Sequence, residues 1–255
     1  MDTILTERDG GVLRIELNRP EKKNAITIAM YQALGDALHS ASGDGAVRAV
    51  LLHGKTEVFC SGNDVSDFLA APSRSEDFAP FRFLRILGQF DKPLVAAVSG
   101  AAIGIGTTML LHCDLVYAAA GTRFQLPFAS LGLVPEAASS LLLPRLAGWQ
   151  KAAELLMLGE PFGAEAARDI GLVNEVVAPQ ALLETARAKA LALAAKPPAA
   201  MRATKALMKQ AVLAEVEQTM TREVKTFGER LASPEAKEAL SAFLEKRKPD
   251  FSKFS

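Results

Sequence analysis

The sequence predicts an α/β body followed by a helical C-terminal extension. Strand-like and helix-like patterns alternate up to about residue 180, and the stretch 182–246 carries no strand pattern. Two runs, 47–52 and 93–98, are almost continuously aliphatic, as strands buried on both faces are.

The elements follow in order. Residues 3–7 and 12–17 alternate apolar with polar around Asp9-Gly10-Gly11, a hairpin signal. Asn18-Arg-Pro-Glu-Lys-Lys-Asn-Ala25 is a polar turn whose composition alone suits a solvated loop. Residues 28–38 are helical, with Met30, Leu34, Ala37 and Leu38 on one face. After the strand at 47–52, Val58-Phe-Cys-Ser-Gly-Asn-Asp64 breaks into a tight turn, and a helix runs through 81–90. The strand at 93–98 leads to Gly100, Gly104 and Gly106 and then to a helix from Thr107 to His112. Residues 115–119 form a strand and 123–126 a short one; from Glu136 the chain is helical apart from a strand-like 171–177.

Bulk properties exclude several classes. Lys plus Arg and Asp plus Glu are both 29 in 255 residues, so no net field recruits nucleic acid or an anionic membrane. Two cysteines, Cys60 and Cys113, give neither a disulfide framework nor a zinc motif. His39, His53 and His112 lack ligand spacing, so no metal is expected. Neither a signal peptide nor a Ser-Lys-Leu tail is recognisable, and the uncharged run 93–111 is interrupted by glycine, serine and threonine. A cytoplasmic protein that does not enter the membrane is the expectation.

Strand, glycine turn and helix leave N–H groups unpaired at the helix start, facing whatever lies in front. A dinucleotide fingerprint fails because Met109 stands at its third glycine, and a phosphate loop fails because Ala49 stands where Gly54-Lys55-Thr56 needs a leading glycine. Ser61 lacks a nucleophile-elbow motif. An oxyanion hole for a thioester is left, and it needs a second donor.

Asn18–Ala25, Phe59-Cys-Ser-Gly-Asn-Asp64 and Ala97-Val-Ser-Gly-Ala-Ala-Ile-Gly-Ile-Gly106, in this order and spacing, resemble the crotonase (enoyl-CoA hydratase/isomerase) superfamily. Phe124-Gln-Leu-Pro127, Gly132-Leu-Val-Pro135 and Gly171-Leu-Val-Asn-Glu-Val-Val177 extend the resemblance over nearly the whole chain. It implies a spiral of β-β-α turns over residues 1–195 that holds the acyl-CoA site, and a helical oligomerisation region at 196–255 that builds a homotrimer or a dimer of trimers. Coenzyme A would arrive as part of the substrate, with no separate cofactor. By the same resemblance the thioester oxygen is held by the N–H groups of Asn63 and Ile105. Lys23, Ala25, Ser61, Gly62, Gly104, Phe128 and Lys246 would contact substrate, and Asp64 would brace the turn carrying Asn63.

The family's hydratases place two glutamates where this chain has Thr108 and Phe128, neither of which is a base. Glu136 stands where the similar peroxisomal-type Δ3,Δ2-enoyl-CoA isomerases carry their catalytic glutamate. Double-bond migration needs one carboxylate and an oxyanion hole. Position alone favours reading Glu136 as an acid in the first turn of a helix, placed by the macrodipole; the resemblance and the loss of both other carboxylates turn that preference to the catalytic role. An isomerase with Glu136 as base is therefore the expectation. Other crotonase chemistry and a silent thioester-binding oligomer are the alternatives, and a solvent-exposed Glu136 would favour the last.

Overall fold

The computed structural model describes residues 2–55, 58–70 and 78–254. Strands β1 (Ile4–Asp9) and β2 (Val12–Leu17) form the hairpin, with Gly10 at φ 59° in its turn. Helix α1 (Ile28–Gly43) begins at Thr27, whose hydroxyl accepts from the Met30 N–H at 3.2 Å. Then come β3 (Ala49–Gly54), α2 (Val65–Ala70), α3 (Ala79–Gln89), β4 (Leu94–Val98), β5 (Ala101–Ile103) and α4 (Ile105–Thr108). Strands β6 (Leu115–Ala119) and β7 (Arg123–Gln125) precede α5 (Ser139–Ala147) and α6 (Trp149–Ala153). After β8 (Phe162–Gly163), α7 (Ala164–Asp169) and β9 (Glu175–Val177) the chain is helical: α8 (Leu182–Ala194), α9 (Pro198–Gln210), α10 (Leu213–Leu231) and α11 (Pro234–Leu244).

The main sheet has the order β1-β2-β3-β4-β6-β9, antiparallel in the hairpin and parallel thereafter. Side chains alternate across it, and both faces are covered. Val50 and Leu52 of β3 face the core under α1 and α3, whereas Ala49 and Leu51 face Leu182, Ala186 and Ala190 of α8. Burial on both faces is what makes the run aliphatic throughout.

A second sheet, β5-β7-β8, runs beside the first. Leaving a main-sheet strand, the chain adds a short strand or bridge to this layer and then turns into a helix. That happens after β3 through the bridge at Cys60, and after β4 through β5. This repeated β-β-α turn is the expected spiral.

Three local expectations are corrected. The glycine turn does not pass straight into a helix: Ala101–Ile103 is a strand, too short and too close to glycines to show a period. The following helix begins at Ile105, not Thr107. The 18–25 turn is not wholly solvated, because Asn24 is fully buried; its amide donates to the Val58 carbonyl at 2.7 Å and accepts from the Arg19 N–H at 2.8 Å. Among the described residues no helix is long and apolar enough to cross a membrane.

Candidate functional site

Two turns of the spiral are zipped together where residues 59–63 run alongside 101–105. Cys60 and Ala102 form a parallel bridge, Cys60 N–H donates to the Ala101 carbonyl at 3.0 Å, and Ile103 N–H donates to the Cys60 carbonyl at 2.9 Å. Asn63 lies three residues after Cys60, and Ile105 three residues after Ala102. They are equivalent positions of successive turns.

Each presents a free N–H. Ile26 bridges Asn63 by donating to the Gly62 carbonyl and accepting from Asp64, so the Asn63 N–H points away from that strand. Ile105 is the first residue of α4, where the N–H has no intrahelical acceptor. Neither group donates to another backbone acceptor among the described residues.

Glycines make the approach possible. Gly104 has φ 55° and ψ −119°, a conformation a side chain rarely tolerates. A Cβ at Gly106 would stand 2.8 Å from the Cys60 carbonyl oxygen and 2.9 Å from its Cβ. Gly62, at φ 98°, packs against the Ile103 carbonyl.

Both donors open onto a cavity of about 330 Å³. Ser61, Gly62 and Gly104 line it beside them; Phe128, Leu131 and Leu133 form an apolar wall. Phe227, Leu231, Leu240 and Phe243 close it from α10 and α11, so it spans the boundary drawn between 195 and 196. A mostly apolar cavity lined by two residues whose backbone N–H groups lack a backbone acceptor can hold a carbonyl oxygen, and stabilises it more as that oxygen gains charge.

The turn carrying Asn63 is braced on both sides. Asp64 pairs with Arg19 at 2.8 Å and accepts from the Asp67 N–H at 3.1 Å; Asp67 accepts from the Ile28 N–H at 2.6 Å. Although burial opposes it, the hydrogen bonds and the Arg19 charge hold the Asp64 carboxyl below the usual range. The buried Tyr31 hydroxyl donates to the Asn63 side-chain oxygen at 2.6 Å. Arg19 lay within the quoted motif, but no sequence signal marked Tyr31.

Glu136 is buried, with 9% of its surface accessible. Its carboxylate accepts from the Thr108 hydroxyl at 2.9 Å. Thr108 lies one turn along α4 from Ile105, about 4.5 Å by helical rise. Burial raises the Glu136 carboxyl to about 7; the Thr108 hydrogen bond opposes the shift and the Glu223 charge adds to it. The reading of Glu136 as a helix first-turn acid is corrected: α5 begins only at Ser139, after Ala137 and Ala138 at φ 59° and 55°. Two left-handed alanines cannot extend a helix back to Glu136.

The structure thus brings Ser61, Gly62, Asn63, Gly104, Ile105 and Phe128 onto one cavity; Glu136 is joined to α4 through Thr108 and is not among the lining residues. Lys23, Ala25 and Lys246 do not line the cavity; both lysines are exposed. Helix α3 does not line it either; its Phe83, Leu84 and Leu87 pack in the main core. His112 is buried and bonds the Ala137 carbonyl.

Residues 7–253 match the family described as enoyl-CoA hydratase/isomerase. The chain is 34% identical to 1,2-epoxyphenylacetyl-CoA isomerase of Escherichia coli, over 98% of each chain. It is 39% identical to enoyl-CoA delta isomerase 2 of Rattus norvegicus, over 96% of this chain and 64% of that protein. Further relatives include 2,3-dehydroadipyl-CoA hydratase of Escherichia coli at 33% identity and a protein of Bacillus subtilis named probable enoyl-CoA hydratase at 32%. The crystal structure of an enoyl-CoA hydratase/isomerase from Pseudoalteromonas atlantica superposes with a TM-score of 0.94 at 40% identity, covering 98% of this chain and 100% of that one.

Proposed function

The chain belongs to the enoyl-CoA hydratase/isomerase family, and within it we propose that it is a Δ3,Δ2-enoyl-CoA isomerase with Glu136 as its base. The observation that carries this reading is the Thr108–Glu136 hydrogen bond. Where the resemblance puts a hydratase glutamate, this chain has a hydroxyl that holds a different buried carboxylate. Phe128, at the second hydratase position, supplies only apolar wall. With one carboxylate in place of two, water is not held for addition, and proton transfer is the chemistry available.

The thioester oxygen accepts from the N–H groups of Asn63 and Ile105. Glu136 removes the C2 proton, the electron pair moves into the enolate, and the negative charge collects on that oxygen. The same carboxylic acid returns the proton at C4, leaving the double bond between C2 and C3. Each fixed donor lowers the barrier by about 3 kcal/mol. A base with a pKa near 7 suits both taking and returning the proton. Its burial speaks against the silent-binder alternative. The expected trimer belongs to this proposal too, supported by the exposed Trp149, Leu207 and Met208.

Turnover of 3-enoyl-CoA, wild type beside Glu136→Gln, tests the assignment. Wild type should form the 2-enoyl thioester with kcat/KM rising through about pH 7, and the variant should lose roughly 100-fold or more. Full activity in the variant removes Glu136 from the mechanism. Tight acyl-CoA binding without turnover in wild type selects the silent binder.

A further inference from the structure

Beyond the base itself, the turn that carries it is held from two distant elements. Glu223 of α10 is 7% accessible, and its carboxylate accepts from the Ala138 N–H at 2.6 Å, from the Ser140 N–H at 3.0 Å and from the Ser140 hydroxyl. His112, after α4, is 6% accessible and donates through Nε2–H to the Ala137 carbonyl at 2.8 Å. Between these anchors lie the two consecutive left-handed alanines, a conformation that persists only where its surroundings impose it. Ser139 closes the turn onto the Glu136 carbonyl, through its N–H at 3.0 Å and its hydroxyl at 2.6 Å.

We propose that Glu223 and His112 are positioning residues that clamp the Ala137–Ala138 turn and thereby aim the Glu136 carboxylate at the substrate. The aiming role rests on the isomerase reading; the clamp does not. A loose turn would let the carboxylate wander from the substrate, and a small misplacement of a reacting group costs rate more than binding.

Glu223 also acts through charge. The titratable groups facing Glu136 are the Tyr31 phenol of α1, the Cys60 thiol and Glu223 of α10; the first two are pushed up by burial and then by the Glu136 charge, and stay neutral. Arg222 stands beside Glu223, and His112 faces Lys205 and Lys209 of α9, its imidazole lowered to about 4 by burial and so neutral. Of these, Glu223 is the carboxylate whose removal lets Glu136 ionise more readily.

Glu223→Gln keeps the shape and removes the charge. Three readouts apply: the infrared titration of Glu136, taken as the difference from Glu136→Gln; amide exchange at Ala138 and Ser140; and kcat against KM. The expected result is a Glu136 midpoint below that of wild type, exchange at both amides faster by about tenfold or more, and kcat down about tenfold with KM held within about twofold. An unmoved midpoint with unchanged exchange overturns the proposal. If wild type turns over no 3-enoyl-CoA, the isomerase reading fails, while the first two readouts still judge the clamp. Should Glu223→Gln not fold, His112→Leu is read the same way: faster exchange at Ala138 supports the clamp, and unchanged exchange and kcat overturn it.

Discussion

The two halves of the proposed site are built from different materials. The donor half, Cys60–Asn63 against Ala102–Ile105, is backbone held by backbone: a bridge, two hydrogen bonds of about 3.0 Å and glycines that let the strands approach. The base half, Glu136–Ala138, is a left-handed turn held mainly by side chains from α10 and from the segment after α4. Each left-handed alanine costs about 1–2 kcal/mol, offset by hydrogen bonds to a charged group worth about 1.5–3 kcal/mol each. A backbone device tolerates almost any side chain at the working residue but no Cβ at its glycines. A side-chain device is the reverse: it depends on named residues elsewhere in the chain.

Gly106→Ala should break the comparison most visibly. Its Cβ would meet the Cys60 carbonyl and Cβ under 3.0 Å, and neither belongs to a flexible side-chain end. The start of α4 must shift, carrying the Ile105 N–H with it, so kcat should fall by about 10²–10³, the loss of one oxyanion donor. Steady-state kinetics with 3-enoyl-CoA measure it. Near-normal kcat would mean that the donor turns are less tightly coupled than their contact distances imply.

The base half has a stability cost that the donor half lacks. Folded Glu136 holds its proton to about pH 7, whereas the unfolded chain releases it near 4.5. Between those values the folded state binds more protons, so stability falls as pH rises, and the loss is complete above about 7. The shift corresponds to roughly 3 kcal/mol. Glu136→Gln should therefore melt several degrees above wild type at pH 8, with the gap closing toward pH 4.5. Equal melting temperatures across that range would mean that burial does not perturb Glu136.

What could be read from the sequence follows the same division. The glycine turns were legible because a missing Cβ is written into the chain as glycine, at Gly62, Gly104 and Gly106, whereas the donor roles of Asn63 and Ile105 came from resemblance. The hairpin and the buried strands β3 and β4 were legible because burial on one or both faces imposes a local pattern. Glu136 was identified through resemblance, but not its support: Glu223 lies 85 residues beyond Ala138, and alanine gives no sign of a left-handed turn. The buried Asn24 escaped for a like reason, since its partner Val58 is 34 residues away. Long-range side-chain bonds leave no period behind them.

The smallest activity effect should come from a residue at the centre of the site. Asn63→Ala leaves the backbone N–H in place, so the donor survives and kcat should change by less than about tenfold. Stability should fall further than the activity does. The buried Tyr31 hydroxyl loses its acceptor at 2.6 Å, and an unsatisfied buried hydroxyl costs about 1–3 kcal/mol. Thermal melts beside kinetics separate the two. A large drop in kcat with unchanged stability would mean that the Asn63 amide itself touches the substrate, and the donor half would then be only partly a backbone device.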